Sequence, residues 1–293
     1  MNEIKTLARP PRLSIQEFQE LLRIFNTAAG LSFDESALPL FQRRLAARLP
    51  LHDLTSYRDY ARVLQFGAQA EAELNAALDL LTSGETYFFR HKEQLALLSR
   101  QILPTLAEAN AASRRLSVWS AGCSSGEEVY TAAILLHESG LFNGWNVRVV
   151  GHDLSPERIE HARQGCYFQG AFRSTDERIK KTYFHESGRI WQVHENIRRL
   201  CQFSQGNLLG RNHDSFMGRV DLILCRNVLI YLDERARARV IENLYERLVP
   251  GGFLLLGHSE SLKFMETQPE LISLEQDLAF RKPGRGGRRG AET

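Results

Sequence analysis

Two adjacent acids, Glu127 and Glu128, follow a glycine- and serine-rich turn and begin a helical pattern. Gly122 and Gly126 allow that turn to reverse sharply and to approach a ligand closely, because neither residue has a Cβ atom. A loop that binds phosphate keeps the first helical turn free of acids, since phosphate uses the N–H groups and the positive dipole end there. Two glutamates instead suit a cationic or hydroxyl-bearing ligand such as S-adenosylmethionine. In the simpler alternative, the turn only joins a strand to a helix and one glutamate favours the helix dipole.

A strand before this turn and a helix after it would position the two acids. Residues 116–121 follow a buried-strand pattern, and residues 127–137 carry apolar side chains at helical spacing. A second strand pattern over residues 145–153 ends in Asp153. In an open α/β sheet the carboxyl ends of the strands face the ligand crevice, where an acid can accept hydrogen bonds from ribose hydroxyls. Helix capping is the weaker interpretation of Asp153.

Later strand patterns bring further polar residues to the same edge. Residues 201–207 end in Asn207, whose amide could bind the edge of an adenine ring, and Leu208 follows. Residues 220–225 are almost entirely apolar, which is typical of a central parallel strand. After that strand come Arg226, Asn227 and, one helical turn on, Tyr231. A helix at residues 233–248 and a strand at residues 253–257 follow in the predicted sheet domain. The last predicted strand, residues 279–281, is expected at the edge of the sheet.

The region before the first strand, residues 1–81, is predicted to be helical throughout. Ser14 and Glu17 form a capping box ahead of a helix that ends at Gly30. Three further helices are predicted by their apolar periodicity: residues 38–49, 56–64 and 71–81.

The second of these predicted helices carries three arginines on successive turns: Arg43, Arg44 and Arg48. Such a basic stripe matches an acidic, elongated partner, because neighbouring guanidinium groups can pair with spaced carboxylates. A solvated helix surface is the alternative.

A linker and cleft-lining segment, residues 82–115, joins the helical region to the sheet domain. Burial of Phe88 and Phe89 would draw the guanidinium of Arg90 toward a partly dry site, where it needs an anionic partner. The alternative is a core anchor with a surface salt bridge. Residues 166–200, with a hairpin at 188–193, are predicted to be an excursion from the sheet that serves as a lid or partner surface.

The composition excludes several classes of protein. The chain has 293 residues, is 43% hydrophobic and 25% charged, and carries a net charge of +2, too weakly basic to indicate a nucleic-acid binder. No apolar run approaches the ~20 residues of a membrane helix, and the N-terminus lacks the apolar core of a signal peptide. We therefore expect a cytoplasmic protein. We also expect it to be a monomer. Neither the cysteines nor the histidines have metal-ligand spacing, so we expect no metal site and no disulfide framework.

Taken together, these motifs resemble the CheR family, the chemotaxis-receptor glutamate O-methyltransferases. The matching blocks occur in the family's order over most of the chain: Glu85-Thr-Tyr-Phe-Phe-Arg90, Trp119-Ser-Ala-Gly-Cys-Ser-Ser-Gly-Glu-Glu128, Asp153, Cys225-Arg-Asn-Val-Leu-Ile-Tyr231 and Gly257-His-Ser-Glu260. Each block alone is a weak signal, but their joint occurrence is highly specific.

The resemblance implies an all-α N-terminal domain followed by an α/β domain, a class I (Rossmann-like) S-adenosylmethionine-dependent methyltransferase domain at residues 116–282. A small β-subdomain lies within it at residues 166–200, and residues 283–293 are expected to be a disordered tail. The resemblance also implies S-adenosylmethionine as methyl donor, S-adenosylhomocysteine as product, and the cytoplasmic helical bundle of methyl-accepting chemotaxis receptors as substrate.

The resemblance further assigns roles to individual residues. Those implied to bind the cofactor are Gly84, Thr86, Arg90, Gly122, Glu128, Asp153, Asn207, Leu208, Arg226 and Asn227. Arg90 and Tyr231 would lie near the methyl-transfer point. The three arginines of the second helix, Arg43, Arg44 and Arg48, would face the receptor.

The chain also departs from the family pattern. The family commonly has Asn where Gly84 stands, which puts one side-chain contact to the cofactor in question. Residues 183–193 are shorter than in members that tether to a receptor's C-terminal pentapeptide, so we expect no such tether. Two alternatives stay open: a nucleic-acid methyltransferase, which usually has Asn-Pro-Pro-aromatic where this chain has Asn227-Val-Leu-Ile, and a non-catalytic cofactor-sensing scaffold.

Overall fold

The computed structural model describes residues 11–82, 84–210, 218–258, 260, 270–274 and 277–284. These residues divide into two compact units. The first contains the chain up to Gly84 together with Tyr231–Arg237, and the second contains Glu85–Ile230 and the chain from Ala238 onward. Residues 285–293, which make up most of the predicted tail, lie outside the described residues. No helix among the described residues is long and apolar enough to span a membrane.

The first unit is helical, as predicted. Its helices are α1 (Ile15–Ala29), α2 (Leu38–Leu45), α3 (Tyr57–Phe66) and α4 (Ala70–Leu81). The capping box is confirmed, because the Ser14 side chain accepts the Glu17 N–H and the Glu17 carboxylate accepts the Ser14 N–H. Gly30 ends α1 with a φ of 68°. The fully buried ring of Phe41 contacts the ring of Phe18 edge to face, at 4.9 Å between centroids, in the core of this unit.

The prediction for the second helix was too long. Helix α2 ends at Leu45, and a 3-10 turn follows at Leu49–His52. Pro50 disfavours an α-helix that continues through it, because its ring would clash with the carbonyl group four residues earlier. Arg48 therefore lies outside the helix that carries Arg43 and Arg44.

The second unit is an α/β domain with two sheets. Its strands are β1 (Arg115–Ala121), β2 (Asn146–Asp153), β3 (Cys166–Phe168), β4 (Phe184–Ser187), β5 (Ile190–Val193), β6 (Cys201–Gln205), β7 (Val220–Cys225), β8 (Leu248–Leu256), β9 (Glu270–Leu274) and β10 (Asp277–Arg281). The remaining helices are α5 (Lys92–Leu97), α6 (Leu103–Ala109), α7 (Glu127–Ser139), α8 (Pro156–Gln164), α9 (Glu177–Tyr183), α10 (Glu195–Arg198) and α11 (Glu234–Arg247).

The larger sheet has seven strands among the described residues, in the order β6-β2-β1-β7-β8-β10-β9. The first five are parallel, and β10 is antiparallel to both of its neighbours. The chain order reverses between β1 and β7, which is where open α/β sheets bind ligands. The predicted α/β class is confirmed, but the prediction that the last strand lies at the edge was wrong. Strand β9, which the sequence analysis missed, covers that edge.

The smaller sheet, in the order β3-β5-β4, confirms the predicted excursion within residues 166–200. Strands β4 and β5 form a hairpin that begins at Phe184, four residues before the predicted start, and Gly188 lies in its turn with a φ of 61°. The segment at residues 82–115 is more than a linker, since it contains α5 and α6. Its apolar side chains are buried in the core of the second unit: Leu95, Leu98, Ile102, Leu103 and Leu106.

Candidate active site

The glycine-rich turn lies between β1 and α7, as predicted. Three of its residues have left-handed backbone: Gly122 with φ 83°, Ser124 with φ 49° and Gly126 with φ 96°. The N–H groups of Gly122 and Cys123 both donate to the carbonyl oxygen of His152, at 2.7 and 3.0 Å. The turn is therefore held against the end of β2. The sequence identified the two glycines but not Ser124, whose side chain makes a positive φ costly.

Close packing gives a second reason for glycine at these positions. A Cβ atom on Gly122 would lie 2.4 Å from the side chain of Val228, and one on Gly126 would lie 2.8 Å from that of Ala162. Neither distance is compatible with ordinary van der Waals contact. Protein packing thus requires both glycines, whatever ligand the turn approaches.

Asp153 ends β2 and binds the glycine-rich turn. Its Oδ2 accepts the N–H of Ser124 at 2.7 Å, and its Oδ1 accepts the N–H of Ser155 at 3.0 Å. The helix cap of α8 is Ser155 itself, whose side chain accepts the N–H of Arg158. Asp153 is therefore not the cap. A carboxylate at this position has the acceptor chemistry that ribose hydroxyls require.

The two acids of the first α7 turn have different surroundings. Glu127 is 4% exposed, and burial raises its pKa to about 7 despite a hydrogen bond from the Ser125 hydroxyl at 2.8 Å. Glu128 accepts the Ser120 hydroxyl at 2.7 Å and forms an ion pair with Arg226 at 3.1 Å. The sequence predicted both Glu128 and Arg226 at the site but not their pairing.

Arg226 links three segments at the carboxyl ends of the strands. Its Nη1 binds Glu128, and its Nη2 donates to the carbonyl oxygen of Arg90 at 2.6 Å. Its side chain is only 4% exposed. The neighbouring Asn227 has a left-handed φ of 60°. Burial, and the positive charge of the nearby Arg226, lower the pKa of His91. No sequence signal indicated a role for His91, although it directly follows Arg90.

Arg90 belongs to a segment anchored by aromatic residues. Phe88 is fully buried, as predicted. The Arg90 guanidinium donates to the carbonyl oxygen of Glu85 at 2.7 Å, and no carboxylate pairs with it in the part of the chain that the structure describes. The salt bridge of this segment is instead formed by Arg173, which contacts Glu85 at 2.5 Å. Thr86 lies in the same segment and is half-buried.

Asn207 and Leu208 follow β6, as predicted. The Asn207 side-chain oxygen accepts the N–H of Leu209 at 3.0 Å, and the Leu208 carbonyl oxygen accepts the Asn243 side-chain amide at 2.9 Å. These two contacts fix the start of the loop that follows β6.

The structure assigns two predicted site residues to the helical unit rather than to the α/β unit. Gly84 is exposed and is the last residue of the first chain segment of the helical unit. Tyr231 begins the second segment of that unit, and its carbonyl oxygen accepts the N–H of Ser32 at 2.9 Å. The other predicted cofactor residues all lie in the α/β unit.

The predicted arginine stripe was wrong as a continuous surface. Arg44 donates to the carbonyl oxygens of Leu80 and Leu81, at 2.6 and 3.2 Å, and so satisfies the C-terminal end of α4. Arg48 forms a two-pronged ion pair with Glu73, which is 5% exposed. Of the three arginines, Arg43 is exposed, whereas Arg44 and Arg48 are half-buried.

The described side chains fit S-adenosylmethionine better than a dinucleotide. The first turn of α7 carries acids instead of basic groups, and an acceptor carboxylate ends β2. Among the described residues, no group of histidine, cysteine, aspartate and glutamate side chains could hold a metal ion. The four cysteines are free thiols.

Comparison with known protein families agrees with this geometry. The family described as "CheR methyltransferase, all-alpha domain" matches residues 16–82, and the one described as "CheR methyltransferase, SAM binding domain" matches residues 84–277. The chain belongs to the CheR methyltransferase family. This CheR chain therefore binds S-adenosylmethionine and has the family's two-domain organisation.

Several curated proteins resemble this CheR chain over most of its length. Chemotaxis protein methyltransferase 2 of Vibrio cholerae is 31% identical over 264 residues, which cover 89% of this chain and 91% of that protein. Chemotaxis protein methyltransferase 2 of Pseudomonas aeruginosa is 33% identical over 252 residues, covering 84% and 86%. A probable biofilm formation methyltransferase of Pseudomonas putida, WspC, is 30% identical and covers 89% of this chain but 61% of that protein. This CheR chain is an S-adenosylmethionine-dependent methyltransferase of the chemotaxis type.

Proposed function

We propose that this CheR chain transfers a methyl group from S-adenosylmethionine to glutamate side chains of chemoreceptors and so forms glutamate methyl esters. The observation that supports this most is Arg90. Its guanidinium is hydrogen-bonded to a backbone carbonyl oxygen, and in the described residues no carboxylate neutralises it. A substrate carboxylate supplies the missing negative charge, and an Arg–carboxylate hydrogen bond is strong and directional.

The chemistry requires positioning rather than proton transfer. A glutamate side chain has an ordinary pKa of about 4.3, so it is already an anionic nucleophile at neutral pH. S-adenosylmethionine supplies an electrophilic methyl group on a sulfonium. One carboxylate oxygen forms a bond to the methyl carbon while the carbon–sulfur bond breaks and its electron pair stays on sulfur, so no proton moves. Arg90 holds the other carboxylate oxygen.

The cofactor is held by side chains at the carboxyl ends of the parallel strands. Asp153 accepts the ribose hydroxyls, and the loop at Asn207 and Leu208 binds the adenine edge. The Glu128–Arg226 pair contacts the methionine portion, whose ammonium and carboxylate groups complement the two opposite charges. Thr86, Asn227 and the backbone of Gly122 complete this set.

The substrate surface is proposed to be the cytoplasmic helical bundle of a chemoreceptor, which puts the reaction in the cytoplasm. Arg43 on α2 is exposed and can reach a carboxylate on such a bundle. The β4–β5 hairpin is short, with four residues in each strand, so we propose that the enzyme works without a pentapeptide tether. Calorimetry with a receptor C-terminal pentapeptide tests this, and measurable binding contradicts it.

The decisive experiment is transfer of labelled methyl from S-adenosylmethionine to membranes that contain the host's chemoreceptors, followed by mild alkali. We expect label on a receptor that alkali releases, because methyl esters hydrolyse readily. Alkali-stable label on protein or nucleic acid would contradict glutamyl ester formation. Tight cofactor binding with no transfer would instead favour a sensing role.

A further inference from the structure

Glu260 lies in the loop after β8, and its carboxylate accepts five backbone N–H groups. Oε1 accepts the N–H groups of Val228, Leu229 and Ile230 at 2.9, 2.7 and 3.3 Å, and Oε2 accepts those of Asn227 and Gly257 at 3.0 and 2.7 Å. Four of these donors are consecutive residues, 227–230. One side chain therefore holds the whole turn that follows β7 to the loop that follows β8.

The surroundings of Glu260 stabilise a negatively charged carboxylate. The residue is 7% exposed, and in the described part of the chain no basic side chain pairs with it. Consecutive N–H groups at the start of the 3-10 turn Leu229–Tyr231 carry partial positive charge, which compensates a buried carboxylate. The charge of Glu260 is thus balanced by backbone that lies next to the site.

Gly257 has no side chain, which leaves room for this carboxylate. A Cβ atom on Gly257 would lie 2.8 Å from Glu260 Oε2 and 3.0 Å from the backbone nitrogen of Asn227. The requirement for glycine therefore comes from the close approach of the carboxylate, since Gly257 is not among the residues with positive φ.

The turn that Glu260 holds begins with Asn227, a residue proposed to bind the cofactor, and directly follows a second such residue, Arg226. Asn227 has a left-handed φ of 60°, a conformation that costs a non-glycine residue energy unless its surroundings enforce it. The bond from the Asn227 N–H to Glu260 stabilises that backbone. Arg226 precedes it and reaches Glu128 and the Arg90 carbonyl oxygen.

We propose that Glu260 is a positioning residue for methyl transfer, whose carboxylate keeps Arg226 and Asn227 in the conformation that binds S-adenosylmethionine. This inference rests on the proposed cofactor-binding role of those two residues. It does not depend on which protein the enzyme methylates.

Two variants test the proposal in the full chain. Glu260→Gln replaces one acceptor oxygen with an amide that faces N–H donors, and Gly257→Ala displaces the carboxylate without removing it. For both we expect the affinity for S-adenosylhomocysteine, measured by calorimetry, to fall by about tenfold or more, as the loss of one charge-assisted hydrogen bond would produce. The backbone amide NMR signals of residues 227–230 should shift in both variants.

Two controls separate positioning from stability. Gly170→Ala adds a Cβ atom that has no neighbour within 4 Å, so it should change neither affinity nor melting temperature. Glu73→Gln removes a buried carboxylate from the helical unit and should lower the melting temperature while affinity stays within about twofold. The proposal is overturned if folded Glu260→Gln binds S-adenosylhomocysteine like the wild type. If Glu260→Gln does not fold, Gly257→Ala decides in the same way.

The binding measurement also separates this inference from the proposed substrate. Weak cofactor binding in both variants, together with wild-type enzyme that does not methylate receptors, would leave Glu260 in its role and remove the receptor assignment. Receptor methylation by the wild type, together with unchanged cofactor binding in the variants, would support the receptor assignment and remove Glu260 from its positioning role.

Discussion

Arg226 and Glu128 form an ion pair at the point where the strand order of the larger sheet reverses. Their side chains lie 3.1 Å apart and are 4% and 15% exposed. Glu128 follows β1 through the glycine-rich turn, and Arg226 directly follows β7. The pair therefore joins the two halves of the sheet at the edge where open α/β folds bind ligands.

Loss of Arg226 should destabilise the α/β unit. Arg226→Met leaves the Glu128 carboxylate without its counter-ion, which we expect to cost about 3 kcal/mol. Adding Glu128→Gln should recover part of that loss, because the amide is neutral and still accepts the Ser120 hydroxyl. Urea unfolding followed by tryptophan fluorescence measures this, since all three tryptophans lie in this unit. Equal stability of the single and double variants would contradict it.

Arg90→Ala should abolish methyl transfer while the protein stays folded. Removing one donor that stabilises the reacting groups typically lowers the rate by about 100-fold or more. Initial rates with receptor membranes measure the effect, and far-UV circular dichroism checks the fold. Arg173→Ala is the matched control, because Arg173 belongs to the same surface but pairs with Glu85 and stacks on Tyr87. Full activity of Arg90→Ala would remove this residue from the mechanism.

Glu127 should make the α/β unit less stable as pH rises. The pKa of Glu127 in the folded protein, about 7, lies above its ordinary value of 4.5. The stability of the folded state with respect to this group is therefore highest below pH 4.5, and that stability is lost as pH rises through 7. Glu127→Gln should therefore be more stable than the wild type at pH 8, by about 3 kcal/mol at most, and equal to it near pH 4.5. The exposed Glu186→Gln is the control in urea unfolding across this range. A pH-independent difference would rule out titration of Glu127.

Glu73 should have the opposite pH dependence in the helical unit. Burial works against its charge, but hydrogen bonds from Arg48, Tyr60 and His52 lower the pKa of Glu73 to about 2. Its stabilisation is therefore present above pH 4.5 and is lost as pH falls toward 2. Glu73→Gln should cost about 3 kcal/mol at pH 7, with a difference from the wild type that shrinks in acid. Unfolding followed by far-UV circular dichroism measures this difference in stability. The exposed Glu71→Gln on the same helix should not change the stability.

Arg43 should affect receptor binding without affecting stability. Arg43→Glu reverses the charge of an exposed side chain, so we expect the KM for receptor to rise about fivefold while kcat and melting temperature stay unchanged. Arg62→Glu on α3, which is also exposed, is the matched control. If both reversals raise KM equally, net charge and not Arg43 is responsible.

Local sequence signals identified most of the helices and strands. The Ser14–Glu17 capping box, the Ser155 cap before Pro156 and the apolar strand at residues 220–225 each depend on neighbouring residues alone, and the structure confirms them. One error had a local cause, because helix α2 ends before Pro50 although the apolar pattern continues. Another occurred where distant parts of the chain decide, since the 82–115 segment folds into helices whose leucines are buried in the α/β core.

The sequence by itself determined the family, the glycine-rich turn, the acid at the end of β2 and the polar residues after β7. Residue types and short spacings carry that information, because turns, caps and strand ends have local chemical requirements. Only the tertiary structure decided which of these side chains neutralise one another. Glu128 meets Arg226 across 98 positions of sequence, Arg48 meets Glu73 across 25, and Glu260 meets the turn after β7 across about 30. Such partners are set by where the strands and helices pack, which a local pattern does not encode.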